Sequence, residues 1–128
     1  MNAADVLEGA ANMIESRGWW HDEGGLGESD KDPNSICAGL ATSLFAHGGR
    51  PFGDRIPAVL EADSALCAFI GLDQRMTAIY EWNDAPGQTK ENVIATMRAC
   101  AAIWRAKQEN TDSRSAVPAL GVESELAQ

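Results

Sequence analysis

Trp82-Asn83-Asp84-Ala85-Pro86-Gly87-Gln88-Thr89 packs a helix stop, a polar turn and a helix start into one short stretch. Pro86 pushes Ala85 out of helical geometry, because its ring crowds the preceding residue. Asn83 and Asp84 carry short polar side chains of the kind that bond their own backbone in turns. Thr89 can accept from the unpaired N–H groups that open a following helix. The stretch reads as a fixed corner, with Trp82 anchoring it in the core and its indole N–H bonded across to a helix end.

Downstream of the corner, Val93, Ile94, Met97, Cys100, Ala101 and Trp104 recur at helical spacing. Glu91 suits the first turn of that helix, and Arg98, Arg105 and Lys107 suit its C-terminal half. Beyond Gln108 the apolar period fails. Residues 109–128 mix Ser, Thr, Asp, Glu and Pro118 with sparse apolar residues (Val117, Leu120, Val122, Leu126), and the expectation is an acidic, flexible tail.

Upstream, Met76, Ile79, Tyr80 and Trp82 fit a short helix capped by Asp73; Thr77 to Trp82 also has strand propensity, but no partner strand is evident. Val59, Ala62, Leu66, Phe69 and Ile70 form the stripe of an earlier helix, capped by Asp54 with Pro57 in its first turn. Asp63 offers a second cap within it, and Gly71 closes it. Before that, Asp32-Pro33-Asn34-Ser35 is the expected opening of a helix with the stripe Ile36, Cys37, Leu40, Ala41, Leu44 and Phe45. Gly39 would let a neighbour approach it closely, and Gly48-Gly49 ends it. The first helix runs from about Ala3 to Arg17 on Val6, Leu7, Ala10, Met13 and Ile14, ending at Gly18 in a left-handed conformation. Trp19 and Trp20 then leave the helix, one of them folding back over the core. Residues 21–31, with Gly24, Gly25 and Gly27 among acids, read as a loop.

The fold class is therefore all-α. We expect a single-domain compact bundle of four to five helices over residues 1–108, with an irregular acidic Gly-rich loop and a C-terminal tail over 109–128. A length of 128 residues suits one modest core, and 45% hydrophobic with 23% charged residues is a globular composition. Cys37, Cys67 and Cys100 are odd in number and set among apolar residues, which fits buried free thiols. No apolar run approaches the ~20 residues of a membrane span, and the N-terminus lacks the basic start of a secretory signal. The expected location is cytoplasmic, with no membrane partner.

The formal charge of −9 gathers in two places. Asp22, Glu23, Glu28, Asp30 and Asp32 stand against Lys31 in the loop, and Glu109, Asp112, Glu123 and Glu125 against Arg114 in the tail. No cluster of Lys and Arg is present to displace counterions from phosphates, so direct nucleic-acid binding is not expected. An acidic surface can instead attract a basic protein patch, imitate nucleic acid, or simply confer solubility.

The order of these features resembles a small uncharacterised family of actinobacteria and their bacteriophages. The resemblance spans roughly residues 4 to 105. It rests on Arg17-Gly18-Trp19, the acidic loop, Ile36-Cys37-Ala38-Gly39-Leu40 and, most specifically, the Trp82-Asn83-Asp84-Ala85-Pro86-Gly87 corner. Gln88 stands where a basic residue is expected, and Trp20-His21 replaces a more polar pair. What the resemblance implies is the helical fold and an actinobacterial or phage origin; it implies no activity.

Chemistry has few carriers. Cys37 could be reached by His21, but it lies on the apolar stripe, where inert thiols are common. His21 and His47 fall on different elements, and the acids from Asp22 to Asp32 lack the alternating ligands of a calcium loop, so no metal set emerges. Gly24-Gly25-Leu26-Gly27 lacks the Lys-Ser/Thr ending of a phosphate loop. No cofactor is implied. The candidate binding residues are Trp19, Trp20, His21, Trp82, Asn83 and Asp84, which could line one groove with aromatic faces beside polar groups. Three functions fit. The first is a non-enzymatic protein-interaction module, such as a phage-encoded modulator of a host protein, with a protein partner. The second is a small hydrolase or small-molecule-binding protein using residues 19–23 and 82–87. The third is a structural homo-oligomer completed by tail residues or Trp104.

Overall fold

In the computed structural model, residues 1–20, 35–48, 57–75 and 77–119 are described, with side chains described as far as residue 111. They form helices α1 (Ala3–Arg17), α2 (Ala38–Ala46), α3 (Pro57–Ile70), α4 (Ala78–Asn83) and α5 (Lys90–Ala119). The expected all-α bundle is what the chain adopts.

Helix α1 starts on a reciprocal cap. Asn2 Oδ1 accepts from the Asp5 N–H at 2.8 Å, and the Asp5 carboxylate accepts from the Asn2 N–H at 3.0 Å, so two groups left orphaned at a helix start are satisfied together. Its buried face, Val6, Leu7, Ala10, Ala11 and Ile14, meets α2, α3 and, most extensively, α5. Burying side chains the size of Leu7 and Ile14 stabilises the fold by about 1.5–3 kcal/mol each. The phenyl ring of Phe45 lies where a Cβ on Gly9 would stand, which fixes how closely α1 and α2 approach.

Helix α5 lies antiparallel on α1, as the order of the charged pairs between them shows. Arg98 reaches Glu15 and Asn12 near the end of α1, and Arg105 reaches Glu8 and Asp5 near its start. The apolar face expected for α5 is buried at Val93, Ile94, Met97, Cys100 and Ala101, with Trp104 partly buried against the core. The helix does not stop at Gln108 but continues to Ala119. Loss of an apolar stripe removes packing, not helical hydrogen bonding; once the packed turns have nucleated the helix, each further residue except Pro118, which has no N–H, can add a bond. Residues 120–128 of the expected tail lie outside the described residues.

Three other boundaries differ from expectation for identifiable reasons. Helix α2 begins at Ala38, after Ile36 and Cys37, because its first N–H is satisfied by a side chain far away in sequence. The proposed cap Asp32 lies outside the described residues, as does Asp54 before α3. Helix α3 passes unbroken through Asp63, whose carboxylate accepts from Thr42 Oγ1 at 3.0 Å instead of opening a second helix. Phe69, expected on the buried stripe of α3, is exposed. Helix α4 starts at Ala78, not near Asp73, whose carbonyl accepts from the Arg75 N–H at 2.9 Å.

Gly18 does end α1, with φ 106 and ψ 157. It is thus extended, not left-handed helical, although its positive φ still disfavours a residue with a Cβ. The Gly18 carbonyl accepts from the Ile36 N–H, and the Ile36 carbonyl accepts from the Trp20 N–H, each at 3.0 Å. This isolated parallel bridge pins together the two ends of the segment 21–34, which itself lies outside the described residues. Cys37, Cys67 and Cys100 are free, with Cys37 half-buried and the other two buried.

Candidate functional site

Asn83, the last residue of α4, is fully buried and makes four hydrogen bonds. Its Oδ1 accepts from the Trp19 indole Nε1–H at 2.7 Å and from the Ala38 N–H at 2.9 Å. Its Nδ2 donates to the Trp20 carbonyl at 2.9 Å and to Asp84 Oδ1 at 3.0 Å. One carboxamide thus uses both acceptor sites and both donors, tying the exit of α1, the start of α2 and the end of α4. Ala38 occupies the first helical position of α2, where the backbone N–H has no partner within its own helix. Cys37 makes no side-chain cap there, and Asn83 performs that role from across the bundle. The turn expected at Asn83 and Asp84 therefore differs in kind, because Asn83 bonds distant segments as well as its neighbour. It is also the indole of Trp19, not that of Trp82, that is bonded beside a helix end.

The remainder of the corner is closed by Gln88. Its Nε2 donates to the Trp82 carbonyl at 3.0 Å, while its Oε1 accepts from the Thr89 N–H at 3.2 Å and from Asn92 Nδ2 at 2.6 Å. The Gln88 N–H closes on the Ala85 carbonyl at 3.0 Å, across Pro86 and a Gly87 with φ 82. Proline second and a positive-φ glycine third are the residues of a type II turn. Thr89 then caps α5 as expected, its Oγ1 accepting from the Asn92 N–H at 3.1 Å.

Of the six candidate binding residues, Trp19, Trp20, Asn83 and Asp84 are brought together, while His21 lies outside the described residues. Trp19 and Asn83 are buried and serve each other; Trp20 is 50% exposed and Asp84 half-buried. Trp82 is half-buried on another side of α4, lining a shallow pocket with Leu72, Arg75, Ala78 and Glu81. Trp82 thus lines a different pocket from the cluster around Asn83. Beside Asp84 sits Cys37. Burial pushes its thiol up, the Leu40 backbone N–H draws it the other way, and the charge of Asp84 adds to the rise, so the thiol stays protonated at neutral pH. The environment that activates a cysteine nucleophile pulls in the opposite direction.

A different place is open. Between α2, α3 and α4 lies a cleft of about 300 Å³, lined in part by Gly39, Val59, Leu60, Asp63, Ile79 and Tyr80. Val59 and Ile79 form its buried apolar floor, while Leu60 on α3 is 50% exposed and Tyr80 on α4 is 45% exposed. The Tyr80 ring packs against the bare face of Gly39, where an added Cβ would stand 2.7 Å from it. Close approach at Gly39 is thus realised, and its partner is an aromatic wall of the cleft.

Arg75 at the edge of the cleft is held by Glu81 through both terminal nitrogens, at 2.8 and 3.1 Å, while its Nε lies 3.5 Å from Asp73. Hydrogen bonding from Arg75 holds the Glu81 carboxyl below its usual range. Asp63 is half-buried in the cleft. Burial of the neighbouring Cys67 pushes that thiol up, and the Asp63 charge pushes it further.

In the sequence, Leu60 falls outside the apolar stripe of α3, so spacing gives this wall of the cleft no role. A large apolar residue off the stripe was the available signal. Among the described residues, no group of His, Cys, Asp and Glu could hold a metal ion, and no helix is long and apolar enough to cross a membrane.

A protein-family model described as "Family of unknown function (DUF6197)" matches residues 1–103, a span containing the Asn83 node and the whole cleft but not the last turns of α5. No curated protein and no solved structure matches the chain.

Proposed function

From the premise that the chain belongs to this family of unknown function, we propose that it is a non-enzymatic protein-interaction module whose docking face is the cleft between α2, α3 and α4. The observation that carries this reading is the pair Leu60 and Tyr80, two large side chains left half in water on facing walls above an apolar floor. Removing such side chains from water is the main favourable term in association, and aromatic walls of this kind are frequent anchors at interfaces. The Asn83 node supports the same reading from the other side, since its polar groups are consumed in joining helices. Small size, the acidity of the chain and the resemblance of its corner motif support a finer version, in which an actinobacterium or bacteriophage encodes it as a modulator of another protein.

Affinity capture from an actinobacterial lysate, run in parallel with the wild type, Leu60→Glu and Ile103→Glu, tests the reading. Leu60 and Ile103 are both exposed, so neither change should disturb the core. A partner that is recovered by the wild type and Ile103→Glu but lost by Leu60→Glu is the expected outcome. Recovery of the same partners by all three proteins, or of none by any, contradicts it.

A further inference from the structure

We draw no further inference here: the strongest candidate, the apolar cleft between α2, α3 and α4 walled by Leu60 and Tyr80, belongs to the docking face already proposed, and nothing in the structure shows what covers it.

Discussion

The Asn83 node and the α2–α3–α4 cleft lie at opposite ends of short helix α4 and use polar atoms in opposite ways. At Asn83 every donor and acceptor is spent on the protein itself. In the cleft, polar groups edge an apolar floor and two large side chains stay half in water. A saturated buried amide rigidifies a joint, because an unmade bond there carries the full penalty of desolvation. An unsaturated apolar surface has its gain still to make, on contact with something else. The conspicuous motif marks the joint, and the inconspicuous surface is the face we propose for a partner.

The largest expected effect breaks the joint. Asn83→Ala removes the oxygen that accepts from the buried Trp19 indole N–H and Ala38 N–H, at about 1–3 kcal/mol for each donor, besides the bond lost at the Trp20 carbonyl. Urea unfolding should show a loss of about 3 kcal/mol or more. A change under about 1 kcal/mol would mean that water or another side chain replaces the amide readily.

Next is Gly9→Ala, which drives a Cβ into the Phe45 ring and should destabilise by about 1–3 kcal/mol. Trimming the ring in the double variant Gly9→Ala/Phe45→Leu should recover part of that loss. Strict additivity of the two changes in a double-mutant cycle would deny the contact.

A smaller effect concerns the clamp between α1 and α5. The Asp5 carboxyl is held below its usual range by the Asn2 backbone N–H and then by Arg105, and the Glu15 carboxyl by hydrogen bonding from Arg98. A depressed folded pKa means that the contribution is present above the unfolded value, near ~4, and is lost as pH falls through the lower folded value. The melting temperature should therefore drop between about pH 5 and pH 3, and Asp5→Asn should flatten the drop. An unchanged pH profile in that variant would show the clamp to be inert, as exposed ion pairs often are.

The smallest expected effect on stability is at the cleft. Leu60→Glu should alter unfolding free energy by no more than about 0.5 kcal/mol while removing partner capture. Loss of stability comparable to that of Asn83→Ala would erase the distinction between joint and face.

Local rules read well where local atoms decide. Helix α1 ends where Gly18 stands, and α5 begins where Thr89 caps it, because each boundary is set by residues within a few positions. The buried face of α5 followed from spacing alone. The start of α2 was not legible in its own segment, since the group that satisfies Ala38 is a side chain 45 residues away. Gln88 stands where a basic residue is expected, yet it is a buried hub whose partners come from the corner it closes and from Asn92 of α5. Spacing places Tyr80 on a helix without giving it a face, because its exposure depends on α2 passing beneath it at Gly39. Of the candidate site, the sequence offers Trp19 and Asn83 among six possible lining residues and gives no sign of the bond between them. Both residues are buried and bonded to each other, which no spacing reveals.

The most direct test of the closed joint is hydrogen exchange at the two donors it holds, the Trp19 indole N–H and the Ala38 amide, followed by NMR. If Asn83 locks three segments together, both should exchange only on global unfolding, as slowly as the amides of Leu7 and Met97 in the α1–α5 core. Exchange of either donor through a local opening, orders of magnitude faster than that core, would contradict the account.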